Sequence, residues 1–172
     1  MKSIKKSLVL RHPIEDVWCA LTSAEALAEW LMPNTFREAA VGSKFKFQYD
    51  PDHLCTSGIV ECEVISAKAP HSMVWRWQNG PMNAGDKMPP PMQVEWKLES
   101  VPEGTRLTLV QTGLKGQAWI IPFAMNFGWG AFLKKLLPQA LKNVHSGSFT
   151  PGAIPMAKRL YKATNLPPEV TR

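Results

Sequence analysis

Residues 92–112, Met-Gln-Val-Glu-Trp-Lys-Leu-Glu-Ser-Val-Pro-Glu-Gly-Thr-Arg-Leu-Thr-Leu-Val-Gln-Thr, decide the fold. Met92, Val94, Trp96 and Leu98 alternate with Gln93, Glu95, Lys97 and Glu99. Beyond Glu103-Gly104, Leu107, Leu109 and Gln111 alternate with Arg106, Thr108 and Val110. A period of two sends alternate side chains to opposite faces. The short Glu-Gly turn then predicts an antiparallel hairpin with one buried and one wet face.

The same pattern recurs upstream. Met73, Trp75 and Trp77 alternate with Val74 and Arg76, and Val60, Cys62 and Val64 with Glu61 and Glu63. Phe45, Phe47 and Tyr49 alternate with Lys44, Lys46 and Gln48, and Pro51-Asp52 breaks that run. A further strand is predicted over residues 4–10, with Ile4, Leu8 and Leu10 on one face. Between it and Phe45 the period is helical. Ile14, Val17, Trp18 and Leu21 follow Pro13, which suits a first helical turn. Ser23 then stands where an N-cap belongs, ahead of Leu27, Trp30 and Leu31. Residues 79–91 form a Pro/Gly-rich loop expected to be mobile or extended.

Downstream, a long amphipathic helix is predicted from about Gly128, with Trp129, Phe132, Leu133, Leu136 and Ala140 on one stripe. Pro138 falls inside it and should kink it or end its regular part, because a proline in a straight interior costs about 3 kcal/mol. Residues 146–157 read as an extended connection and 156–164 as a short basic helix.

Six one-sided strands need a cover, and the C-terminal helix is the element long enough to supply it. The expected class is α+β. A six-stranded antiparallel sheet is expected to curl around the long C-terminal helix, with two short helices after the first strand plugging one end. Residues 1–143 would form this domain and 144–172 a basic Pro/Gly-containing extension.

Bulk properties narrow the function. The chain has 172 residues, 45% of them hydrophobic, and a formal charge of +6. Residues 134–172 carry seven basic groups against Glu169 alone, whereas residues 1–133 balance thirteen basic with thirteen acidic groups. The body lacks the basic, aromatic-interleaved stripe of a nucleic-acid binder. The charge is read as a solvated helix face and solubilising tail, the alternative being an anionic surface or partner. No apolar run has the length of a membrane span. Only Leu8-Val9-Leu10 follow the basic start, too little for a signal peptide, so a cytoplasmic location is expected. Cys19, Cys55 and Cys62 lack metal or redox spacing and are read as reduced thiols.

The motifs carry a family resemblance. His12-Pro13-Ile14-Glu15-Asp16-Val17-Trp18-Cys19-Ala20-Leu21-Thr22, then Leu27-Ala28-Glu29-Trp30-Leu31, resemble the opening of the activator-of-heat-shock-ATPase-like branch of the START/SRPBCC superfamily. Val41-Gly42-Ser43-Lys44-Phe45, Gly58-Ile59-Val60, Val94-Glu95-Trp96-Lys97-Leu98, Gly104-Thr105-Arg106-Leu107-Thr108-Leu109, Thr112-Gly113-Leu114 and Gly128-Trp129 continue it, over about residues 3–143. The resemblance implies a helix-grip fold with a cavity that in relatives holds lipids, polyketides, hormones or other hydrophobic molecules. It also implies that some members are cyclases or aromatases and that one branch stimulates a chaperone ATPase. The separate N-terminal domain of the eukaryotic activators is not expected here.

Candidate site residues follow from the inner faces. Phe47, Tyr49, Trp77, Trp96, Gln111, Trp129 and Phe132 are the expected walls of a site for a lipid-like or aromatic ligand, since aromatic rings bury large areas and stack on flat molecules. The alternative for the tryptophans is core filling. Gln111 is polar on an inward register, so it needs a partner unless the strand ends there in water. Tyr49 is either a cavity hydroxyl or a rim residue. No cofactor or metal is expected, because His12, His53, His71 and His145 have no ligand spacing. A His53/Cys55 nucleophilic pair competes with a plain surface loop. Serine-hydrolase, P-loop and dinucleotide motifs are absent.

Binding is therefore expected ahead of catalysis. A cyclase, aromatase or hydrolase and a chaperone-ATPase-activating module are the alternatives. Residues 119–127 are apolar without a clear period. They are expected to close the cavity mouth or, like the basic tail, to meet a second subunit or another protein.

Overall fold

The computed structural model describes residues 1–52, 57–83 and 85–164. Strand β1 (Ile4–Leu10) is followed by helices α1 (Ile14–Thr22) and α2 (Ala24–Trp30). Then come β2 (Lys44–Gln48), β3 (Ile59–Lys68), β4 (Ser72–Asn79), β5 (Met92–Val101) and β6 (Gly104–Thr112). The local reasons match the sequence. The Ser23 hydroxyl caps α2 by accepting from the Ala26 N–H at 3.2 Å. Gly104 turns the β5–β6 hairpin at a φ of 137°, and a side chain there would collide with the Leu10 carbonyl oxygen.

All five ladders are antiparallel, in the order β1-β6-β5-β4-β3-β2. Trp96 lies opposite Leu109 on one side and Met73 on the other. Trp75 lies opposite Val94 and Val64. The indole-bearing sides therefore share one buried face.

The expected curling of the sheet around the helix is corrected. The strand order is linear, and the outer strands β1 and β2 share no ladder. The free edge of β2 is satisfied by the chain leaving α2. The Gln48 N–H donates to the Pro33 carbonyl at 2.8 Å and the Thr35 N–H to the Lys46 carbonyl at 3.0 Å. The Lys46 N–H donates to the Thr35 hydroxyl at 2.9 Å. An edge covered in this way has no unmet groups driving it to close on another strand.

The helical cover also differs from its expected form. It begins at α3 (Ile121–Ala131), well before Gly128, passes through a π turn over Phe132–Leu136, and ends in α4 (Leu137–Leu141). Pro138 explains the π turn. It cannot donate to the carbonyl four residues back, and its ring crowds that carbonyl. Widening the preceding turn, with the Leu137 N–H bonded to the Phe132 carbonyl, opens room for the ring.

Past α4, a two-residue hairpin pairs β7 (Val144–His145) with β8 (Ser148–Phe149), turning on Ser146 and Gly147, both at positive φ. A single 3-10 turn, Met156–Lys158, stands where a short basic helix was expected. Residues 150–164 return across α2 and the end of β2. Ile154 is fully buried in the core.

Candidate functional site

The apolar face of the sheet and the helical cover enclose a close-packed aromatic chain. The ring centroids of Trp75 and Trp96 are 5.4 Å apart, those of Trp96 and Trp129 5.6 Å, and those of Trp96 and Trp30 6.2 Å. At one end this packing opens into a cavity of about 80 Å³. β4 contributes Trp77 and Asn79, and β3 contributes Val60. Tyr49 enters from the end of β2 and Met32 from the end of α2. Ile121, Ala124, Met125, Gly128 and Trp129 come from α3, Phe132 from the π turn and Tyr161 from the returning C-terminal segment.

Of the seven expected wall residues, Tyr49, Trp77, Trp129 and Phe132 line this cavity. Phe47 and Trp96 are fully buried behind it and fill the core. Gln111 is also fully buried, so the reading of a strand ending in water does not hold. Its side-chain oxygen accepts from the Trp129 indole N–H at 2.7 Å, and its amide nitrogen lies 3.3 Å from the Met125 sulfur and 3.5 Å from the Met92 sulfur. Gln111 therefore orients two wall residues from behind. Tyr49 is buried rather than at a wet rim.

Among the described residues the wall carries no charge. Its polar groups are the amide of Asn79 and the phenols of Tyr49 and Tyr161. Asn79 Oδ1 accepts from the Trp77 indole N–H at 2.7 Å, and its amide nitrogen has no hydrogen bond among the described residues. Burial, with the Asp52 carboxylate as a smaller cause, raises the Tyr161 phenol above its ordinary value. It stays protonated at neutral pH and can donate a hydrogen bond.

A second hollow of about 390 Å³ adjoins the cavity and shares Asn79 and Ile121 with it. The loop after β4 and residues 116–118 form its sides. That loop is tied down. The Gln78 amide donates to the Pro89 carbonyl and the Gln117 amide to the Pro90 carbonyl, each at 2.6 Å.

Sequence reasoning missed how the C-terminal segment is held over the cavity. Glu29 on α2 is only 4% exposed. Its carboxylate accepts from the Gly152 N–H at 2.6 Å and the Ile154 N–H at 2.8 Å, and lies 3.4 Å from the Arg159 guanidinium. Asp16 on α1, also buried, accepts from the Gly147 N–H at 2.8 Å. Asp50 accepts from the Thr164 N–H at 2.7 Å and from its hydroxyl at 2.6 Å. These three carboxylates hold a strap that carries Tyr161 to the cavity. The signal was available: Glu29 sits in an otherwise apolar stretch, and a basic tail is a natural partner for it.

Among the described residues no group of three His, Cys, Asp or Glu could hold a metal ion. The His53/Cys55 pair lies outside the described residues. Cys19 is half-buried and Cys62 buried, and burial raises both thiols above their ordinary value, with the Asp16 carboxylate also acting on Cys19. Among the described residues, no helix is long and apolar enough to cross a membrane.

Residues 11–142 match the family described as Activator of Hsp90 ATPase homolog 1-like protein. Among solved structures, MLL2253 from Mesorhizobium loti is similar at a TM-score of 0.70 and 27% identity, over 82% of this chain and 97% of that one. CV1439 from Chromobacterium violaceum aligns at 0.63 and 23% identity, over 83% and 99%. A protein described as the Aha1 dimer from Colwellia psychrerythraea aligns at 0.62 and 22%, over 86% and 99%. No curated protein matches the chain.

Proposed function

The chain belongs to the Activator of Hsp90 ATPase homolog 1-like family, and on that premise we propose that it binds a small hydrophobic molecule with a polar end. The ligand sits between β3, β4 and α3, against Tyr49, Trp77, Trp129 and Phe132. The observation that carries this reading is the opening of the aromatic core beside Asn79. Among the described residues its wall is apolar except for one amide and two phenols. Apolar burial supplies affinity at about 25 cal/mol per Å² before ordering losses. The Asn79 amide nitrogen and the Tyr161 hydroxyl fix the ligand's polar end.

At about 80 Å³ the cavity is smaller than the roughly 150 Å³ void known to take up benzene. Occupancy therefore requires the wall to give. Met32 and Met125 are the adaptable side chains, and Tyr161 is the one mounted on the strap. In this reading residues 1–143 are the binding unit and the extension after 143 is its closure.

The wall chemistry supports binding over turnover. An amide and the protonated Tyr161 phenol orient a ligand but do not abstract protons near neutral pH. The test is titration of the purified chain with flat apolar probes such as naphthol, read by tryptophan fluorescence and native mass spectrometry. Saturable one-to-one binding supports the reading. Absence of binding by any probe, with no molecule retained from expression, overturns it.

A further inference from the structure

Helix α3 has two apolar faces. Ile121, Met125 and Trp129 face the interior. On the other side Phe123 is 59% and Phe127 80% exposed, and Trp119, one turn before Phe123, is 78% exposed. Residues four apart stack along one side of a helix. Phe123 and Phe127 stack in this way, and with Trp119 exposed in the turn that leads into α3 they make an interaction surface, not scattered exposure.

The charges around this stripe are mostly basic, with Asp86 and Lys87 side by side in the hollow next to residues 116–118. Lys134 and Lys135, both exposed, lie in the π turn that follows α3, and exposed Lys115 precedes Trp119. From Gly104 to Thr164 the chain contains no aspartate or glutamate.

We infer that this stripe docks on an anionic lipid surface. Aromatic rings on one side of a helix flanked by lysines match a bilayer interface, where the rings enter the acyl boundary and the ammonium groups meet phosphate. A second copy of the chain fits less well. Apposed stripes would bring Lys115, Lys134 and Lys135 toward their copies, with Asp86 already beside its own Lys87 and too few acids to offset them. The inference does not depend on the ligand reading. The two meet at α3, whose inner side lines the cavity while its outer side meets the lipid.

The test is co-sedimentation of the full chain with phosphatidylcholine vesicles, with and without phosphatidylserine. Binding only to the phosphatidylserine vesicles, and its loss in high salt, is expected. Removing both charges with Lys134→Ala and Lys135→Ala should weaken binding roughly tenfold or more, at about 1 kcal/mol per lysine. The Trp119→Ser, Phe123→Ser, Phe127→Ser variant changes only exposed residues and should keep its thermal transition while losing binding. The proposal is overturned if anionic vesicles bind nothing, if the triple variant binds as the parent does, or if the same variant instead converts a dimer to a monomer in vesicle-free sedimentation equilibrium.

Discussion

The ring of Tyr161 lies 4.7 Å from that of Tyr49 and 5.9 Å from that of Phe132. The C-terminal strap thus completes the wall of a cavity otherwise built by the sheet, α2 and α3. Its position rests on buried carboxylates gripping backbone N–H groups, an arrangement that holds an irregular segment where no ladder is available.

Removal of Tyr161 should open the cavity. Tyr161→Ala is expected to tighten binding of apolar probes too large for the native space, whereas Tyr161→Phe should leave binding of hydroxyl-free probes such as naphthalene close to wild type and weaken that of naphthol. Tryptophan quenching by a homologous probe series measures both.

Release of the strap should be read at Glu29. Glu29→Ala leaves two N–H groups and Arg159 without their acceptor, and truncating one partner of a buried pair costs about 3 kcal/mol. Urea denaturation should show the lowered midpoint. Limited proteolysis should show early cleavage within residues 150–164.

Gln111 should behave as a positioning residue. Gln111→Leu fills the space but orphans the buried Trp129 indole N–H, at about 1–3 kcal/mol. A lower melting temperature with a shifted tryptophan emission is expected. Probe binding should weaken because Trp129 and Met125 lose their support.

Alkaline pH should undock the strap. Since burial raises the Tyr161 phenol, the native state holds that proton at pH values where the unfolded chain has lost it. Its contribution is complete below the ordinary tyrosine value near 10 and is lost as pH rises through the folded value. The chain has two tyrosines, so ultraviolet titration of a Tyr49→Phe variant isolates Tyr161. A midpoint above that of free tyrosine is expected.

The strands were legible because one-sided alternation leaves little choice of face, and Trp75, Trp77 and Trp96 sit where that period places them. The openness of the sheet was not legible. It depends on residues 33–35 covering the edge of β2, and those residues carry no pattern of their own. The start of α3 was hidden because Trp119, Phe123 and Phe127 make its outer side apolar, which erases the amphipathic signal. Within the site, alternation separated inner from outer faces but not wall from core. Phe47 and Trp96 share the inner face with Trp77, yet of the three only Trp77 reaches the cavity, because the other two are packed over completely. For the strap the sequence held a hint, the lone acid Glu29 among apolar neighbours and a basic tail, but not the pairing, because Glu29 and Arg159 meet only after the chain has closed on itself.

The most direct test is a methyl NMR titration of the methionines with a flat apolar probe. Met32 and Met125 line the cavity, Met73 is fully buried away from it, and Met88 and Met156 are exposed. Saturable shifts confined to Met32 and Met125 are the predicted result. Shifts at Met88 and Met156 alone, or none at any methionine, would contradict a ligand site between β4 and α3.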